Sequence, residues 1–264
     1  MTFQEKLDRI VKKNKSLVCI GLDQNLLSFN KTIIEATHDL VCSYKLNTAF
    51  YESIGHEGIN ALKDTCNYLK EKYPEIPIII DAKRGDIGNT NNGYVQFIFT
   101  YLGADAVTVH PYLGEEAIRP FLDRVDKGII ILCKTSNVGS GEFQNLQIQS
   151  LSQHDRSKIV KPLYQIVAEN VAKKWNKNKN CMLVVGATYP AELKEVRKIV
   201  GDMTLLVPGI GAQGGDLEAT LKVGLNSKKQ GVMINSSRGI IFAENPRDEA
   251  MKLRNEINKI LSTY

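Results

Sequence analysis

Short apolar runs alternate with stretches of helical periodicity along almost the whole chain, and this rhythm constrains the fold more than any single motif does. Eight runs read as strands: residues 17–22, 42–46, 76–81, 106–110, 128–134, 181–186, 205–208 and 232–235. Between and after them, residues 57–72, 92–102, 115–125, 157–175, 190–200, 216–223 and 246–261 carry helix-like patterns. Alternating β and α elements build a parallel sheet, and eight such units close into a barrel. The expected fold is therefore an α/β (β/α)8 TIM barrel, one domain over residues 1–264, and 264 residues at 43% hydrophobic content suffice for one large core. The rival is a doubly wound sheet, which announces itself by a glycine-rich turn after the first strand. Here that turn reads Gly21-Leu-Asp-Gln-Asn25, without the fingerprint. Residues 136–155, polar and rich in Gly, Ser and Gln, break the rhythm and read as a long functional loop after the fifth strand.

Composition excludes several classes of function. The formal charge of +5 comes from lysines scattered among acidic residues, which describes solvated helix faces. No basic stripe is interleaved with aromatics, so nucleic acid is not an expected partner, whereas a small anionic substrate fits. The odd set Cys19, Cys42, Cys66, Cys133 and Cys181 has no CxxC spacing and reads as buried free thiols in a reducing compartment. The charged amphipathic start lacks a signal peptide's apolar core, and no run reaches the length of a membrane span. A soluble, cytoplasmic protein without a membrane partner is expected. The four histidines show neither HExxH nor Cys/His ligand spacing, so no metal site is expected. Tyr112 and Trp175 read as packing residues, and Glu115 and Glu116 as the acidic first turn of a helix.

In such a barrel the reactive groups sit at the C-terminal ends of strands, where the loops gather. Asp23, Lys45, Asp81, Lys83, Ser136, Pro208 and Asn235 all fall at or just beyond such ends. The segment Asp81-Ala-Lys83-Arg-Gly-Asp86 follows the apolar Pro77-Ile-Ile-Ile80, and strand alternation would point Asp81 and Lys83 to one face. Any one strand-end charge is ordinarily a solvated loop residue. A lysine–aspartate set drawn from three strands is better explained as a site. A second constellation, Val207-Pro-Gly-Ile-Gly-Ala-Gln213-Gly-Gly-Asp216 with Asn235-Ser-Ser-Arg238-Gly239, lies after the seventh and eighth strands. Taken alone it could be two tight glycine turns. With Arg238 in the right loop it reads better as a phosphate site, backbone N–H groups and a guanidinium fork around the anion, with Gln213 donating its amide.

The ordered set GLDQN, SYKLNTAFYE, DAKRGDIGNT, CKTSN, VPGIGAQGGD and NSSRGI resembles the orotidine 5′-phosphate decarboxylases, in the branch whose central motif reads Asp-x-Lys-x-x-Asp-Ile-Gly. The likeness runs from about Leu17 to Gly239. It implies cofactor-independent decarboxylation of orotidine 5′-monophosphate, with Lys45, Asp81, Lys83 and Asp86 as the alternating charged network and Lys83 as proton donor. It further implies a homodimer in which Asp86, Ile87 and Thr90 reach the partner's site. Asp23 and Asn47 would meet the ribose, Ser136 the pyrimidine ring, and Gln213 and Arg238 the phosphate, with Pro208 at the strand end that begins the phosphate-gripping loop. Relatives often carry asparagine where this chain has His110, so the resemblance assigns His110 no role. No orotate phosphoribosyltransferase segment is evident, and a monofunctional protein is expected. The alternatives are a metal-dependent phosphosugar decarboxylase or aldolase on a related barrel, and a non-catalytic barrel that only binds a nucleotide.

Overall fold

The computed structural model describes residues 1–151, 158–211 and 214–263. In chain order its strands are β1 (Val18–Gly21), β2 (Ser43–Asn47), β3 (Ile78–Arg84), β4 (Ala106–Val109), β5 (Gly128–Lys134), β6 (Gln147–Leu151), β7 (Lys158–Pro162), β8 (Cys181–Val185), β9 (Leu205–Pro208) and β10 (Val232–Ser236). All but β6 and β7 form one closed parallel ring, in which β10 pairs with β1 through Val18 opposite Ile234. The eight strand runs expected from the sequence are therefore the eight staves of the barrel. They are recognisable because a parallel strand is covered on both faces and reads as a continuous apolar run. Val18–Ile20, Ile78–Ile80 and Ile129–Ile131 are all buried.

Helices cover the outside of the ring, and one more closes its N-terminal end. The helix Phe3–Asn14 begins with a reciprocal capping box between Thr2 and Glu5 and buries Phe3, Leu7 and Ile10. Its first ring lies so close to the start of β5 that a Cβ on Gly128 would come within 2.8 Å of Phe3, which explains glycine there. With one end plugged, only the C-terminal mouth is left for a site. Trp175 is buried as expected, and Glu115 and Glu116 lie in the first turn of the helix Gly114–Leu122. Tyr112 corrects the packing expectation, since it is 83% exposed. All five cysteines are unpaired and buried. Burial pushes the Cys19 thiol up to about 11 and those of Cys66, Cys133 and Cys181 to about 12, which leaves them unreactive at neutral pH.

The stretch expected as one long loop is more ordered than that. After a 3-10 turn (Val138–Ser140) and a single helical turn (Gly141–Gln144), β6 pairs antiparallel with β7, Gln147 opposite Pro162 and Leu151 opposite Lys158. The helix expected from residue 157 begins only at Leu163. The hairpin escapes a composition-based reading because its two strands are only five residues each and mix apolar residues with Gln, Ser and Lys in no regular period. Residues 152–157 of that expected loop lie outside the described residues.

Below the barrel, one side chain ties several loops together. Arg197 donates to the carbonyls of Gly224 (2.8 Å), Gly201 (2.5 Å), Met203 (2.6 Å) and Gly231 (2.9 Å). Burial lowers its guanidinium to about 10, still charged at neutral pH. Arg197→Met should lower unfolding free energy by about 2–4 kcal/mol, because it removes hydrogen bonds from a charged donor to several part-buried carbonyls. Urea denaturation measures this, and turnover below the transition should be unchanged since the residue stands at the opposite end from the mouth.

Candidate active site

Each of the eight strands sends residues into one cavity of about 720 Å3 at the C-terminal mouth. That volume is in the range of small-molecule sites. Asp23 follows β1; Lys45 and Asn47 end β2; Asp81 and Lys83 come from β3; Thr108 from β4; Ser136 follows β5; Pro208 ends β9; Asn235 and Arg238 come from β10 and the turn after it.

At the cavity's charged side, carboxylates and ammonium groups alternate. Lys45 Nζ donates to Asp81 Oδ2 at 3.2 Å and stands 4.0 Å from Asp23 Oδ1. Lys83 Nζ donates to Asp81 Oδ1 at 2.7 Å. Thr108, which the sequence did not mark, adds a third contact: its hydroxyl donates to Asp81 Oδ1 at 2.8 Å and accepts from the Lys83 backbone N–H at 3.0 Å. A threonine in a β-branched strand is unremarkable by type. Only its place two residues before His110, on the inward face, could have flagged it.

Burial opposes ionisation of Asp81, yet Lys45 and Lys83, with the hydrogen bonds from Lys83 and Thr108, hold its carboxyl well below the usual carboxylate range. Burial by itself would lower Lys45. Asp81 and then Asp23 overcome that and raise it above the ordinary lysine value, so it stays charged. The two lysines differ in access: the Lys45 side chain is 7% exposed and the Lys83 side chain 48%. Lys45 is a fixed charge, and Lys83 reaches into the space.

Asp81 and Lys83 meet as expected, though not by plain strand alternation. Lys83 has φ +48°, a left-handed conformation uncommon for a residue with a side chain, and the register between β3 and β4 shifts between Ile80 and Arg84. The next residue, Gly85, passes directly over His110, where a Cβ would come within 2.7 Å of Nε2. His110 therefore packs under the turn leaving β3 and does not line the cavity. Under the other carboxylate, Tyr51 donates to the Leu22 carbonyl (2.8 Å), and Asn30 donates to Tyr51, Thr65 and the Gln24 carbonyl. This buried network fixes the turn on both sides of Asp23. Asp23 Oδ1 itself is buried without a hydrogen-bond donor among the described residues.

Three expected site residues stand apart. Asp86, Ile87 and Thr90 lie in and after the turn beyond β3 and do not line the cavity of their own chain. The Asp86 carboxylate accepts from the Ile87 N–H at 2.6 Å, and Ile87 is 63% exposed. Gln213 lies outside the described residues.

The sequence model of the orotidine 5′-phosphate decarboxylase / HUMPS family matches residues 16–253. The chain belongs to that family. A family member named orotidine 5′-phosphate decarboxylase from Janthinobacterium sp. (strain Marseille) is 45% identical over 283 aligned residues, covering 99% of this chain and 100% of the relative. Among solved structures, the OMP decarboxylase of Leishmania donovani superposes with a TM-score of 0.88 at 39% identity, covering 99% of both chains. The UMP synthase of the same organism gives 0.89 at 41% identity, covering 98% of this chain but 56% of that longer one.

The coupling of Asp81 to two cations has a measurable acid limb. A depressed folded pKa contributes stability above the unfolded carboxylate value, and that contribution is lost as pH falls through the folded value. Lys45→Met removes one of the two cations that depress Asp81 and lets its carboxyl rise toward the unfolded value, so the variant should be less stable than the parent at neutral pH but lose less on acidification, and the gap should narrow as pH falls below about 4. Urea unfolding between about pH 3 and pH 7 tests this. Superimposable acid limbs would contradict it.

Proposed function

We propose that the chain is a cofactor-independent orotidine 5′-phosphate decarboxylase, a carboxy-lyase that converts orotidine 5′-monophosphate into UMP and CO2 in pyrimidine biosynthesis. The observation that carries the proposal is the Lys45–Asp81–Lys83 alternation at one side of a cavity whose other side offers Arg238 and the glycine turn after β9.

Loss of CO2 from C6 of the orotate ring leaves an electron pair in the ring plane with no adjacent carbonyl to delocalise it. A nearby cation must stabilise that charge. Lys83 supplies it and then transfers a proton to C6, ending as a neutral amine that regains its proton from solvent. Asp81 aims Lys83 by accepting its hydrogen bond, and Lys45 keeps Asp81 ionised. Repulsion between Asp81 and the substrate carboxylate assists: two charges about 4 Å apart at an effective dielectric of 20 repel by about 4 kcal/mol. That is less than the roughly 8–23 kcal/mol of barrier lowering that enzymes supply. The remainder is preorganised charge in a closed site, with the grip on the remote phosphate driving closure.

Asp23 and Asn47, which line the cavity beside Lys45, bind the ribose. Ser136 faces the base. Arg238 and Gln213, with the turn that Pro208 begins, hold the phosphate. The active form is a homodimer in which Asp86, Ile87 and Thr90 complete the partner's site. Support comes from the apolar surface around them: Ile87 and Leu113 precede two helices that pack together, and Tyr112 is exposed beside them. Five buried unpaired thiols suit the cytoplasm. The metal-dependent alternative is disfavoured because Asp23 and Asp81 both converge on the ammonium of Lys45, where such an enzyme would seat its cation.

The defining assay is the ultraviolet absorbance change on mixing the protein with orotidine 5′-monophosphate in chelator; no change with folded protein would sink the proposal. Lys83→Ala should lower kcat at least about thousandfold. Arg238→Ala should instead lower kcat/KM for the phosphorylated substrate by about 10–100-fold and leave turnover of the nucleoside alone. Mixed subunits test the shared site: Lys83→Ala and Asp86→Asn proteins, each inactive, should regain activity when co-refolded, since one site of the hybrid is intact. Failure to complement, with hybrids formed, would place Asp86 outside the chemistry.

A further inference from the structure

One buried charge has no part in the mechanism above. Lys134, the last residue of β5, has no exposed surface. Its Nζ donates to Ser140 Oγ at 2.8 Å and sits 4.2 Å from the centroid of the Tyr189 ring. A hydroxyl and an aromatic face are weaker compensation for a desolvated ammonium than a carboxylate would be. Retaining a lysine at such a cost points to a role in placing its neighbours.

Those neighbours form the back of the cavity wall. Ser140 Oγ lies 3.5 Å from the Tyr189 hydroxyl, which donates to the Asn137 carbonyl at 3.3 Å. An ammonium can only donate. It therefore turns the Ser140 hydroxyl onward to Tyr189, and Tyr189 onward to Asn137, so that one cation sets the direction of the whole chain. Beside it, Thr188 Oγ1 donates to the Ser136 carbonyl at 3.2 Å, and Gly186 packs against Ser136 so tightly that a Cβ would come within 2.7 Å of its Cα. The turn after β5 is thus clamped to the turn after β8, and its opposite side presents Ser136, Asn137 and Gln144 to the cavity.

We propose that Lys134 is a positioning residue that fixes this wall, and with it Ser136, against the pyrimidine ring of the substrate. The inference rests on the nucleotide assignment made above. Its test compares ligands with and without a base. Lys134→Met should raise KM for orotidine 5′-monophosphate and weaken UMP binding by about tenfold each, while ribose 5-phosphate affinity stays within about twofold. Lys134→Arg, which keeps a donating cation on the ring, should recover most of the loss. Tyr189→Phe, which keeps the ring and breaks the last link, should weaken UMP by about threefold, and it decides the matter if Lys134→Met does not fold. Unchanged UMP affinity in folded variants, or equal weakening of UMP and ribose 5-phosphate, would overturn the role. If the parent protein itself bound ribose 5-phosphate as tightly as UMP, the nucleotide assignment would fall first and this inference with it.

Discussion

Everything in the mouth of this barrel depends on a buried ammonium shared between two carboxylates. Lys45 enters from β2, and its partners Asp23 and Asp81 come from the strands on either side, so pairing these three consecutive strands is what assembles the charges. Burial alone opposes the charge on Asp81 and on Lys45, and each offsets that cost for the other. The pairing also fixes geometry: one Asp81 oxygen is occupied by Lys45, and the other is left for Lys83 and Thr108.

Around that pair the structure divides labour by rigidity. The turn after β1 is held from beneath by Tyr51 and Asn30, and the turn after β5 is held from behind by Lys134 and Tyr189. The turn leaving β3 is shaped by a left-handed lysine and a glycine lying against His110. Mutations at Asn30, Tyr51, His110, Lys134 and Tyr189 would surface as kinetic defects although none of these side chains lines the cavity, because a displacement of about 1 Å in a site is costly.

The strands were legible in the sequence because burial on both faces writes each one as an unbroken apolar run. The charged members of the site were legible for the converse reason, since Asp23, Lys45, Asp81 and Lys83 interrupt such runs at their C-terminal ends. What escaped notice shares a physical cause. Thr108 is a residue that strands favour anyway, and its role follows from the neighbour opposite it. The β6–β7 hairpin rests on cross-strand pairing of mixed polar residues, which no single segment displays. The bulge at Lys83 is imposed by pairing with β4, and local propensity argues against it.

The alternation of charge has a further physical outcome. By formal charge, Asp23, Lys45, Asp81 and Lys83 sum to zero, so the cluster is a multipole whose field is strong at contact and fades quickly with distance. It can act on a ring carbon beside it while exerting little pull on an anion still in solution. Long-range attraction is left to Arg238 and the positive balance of the whole surface. Dissolved salt would therefore slow the capture of a ligand while hardly disturbing the chemistry once it is enclosed.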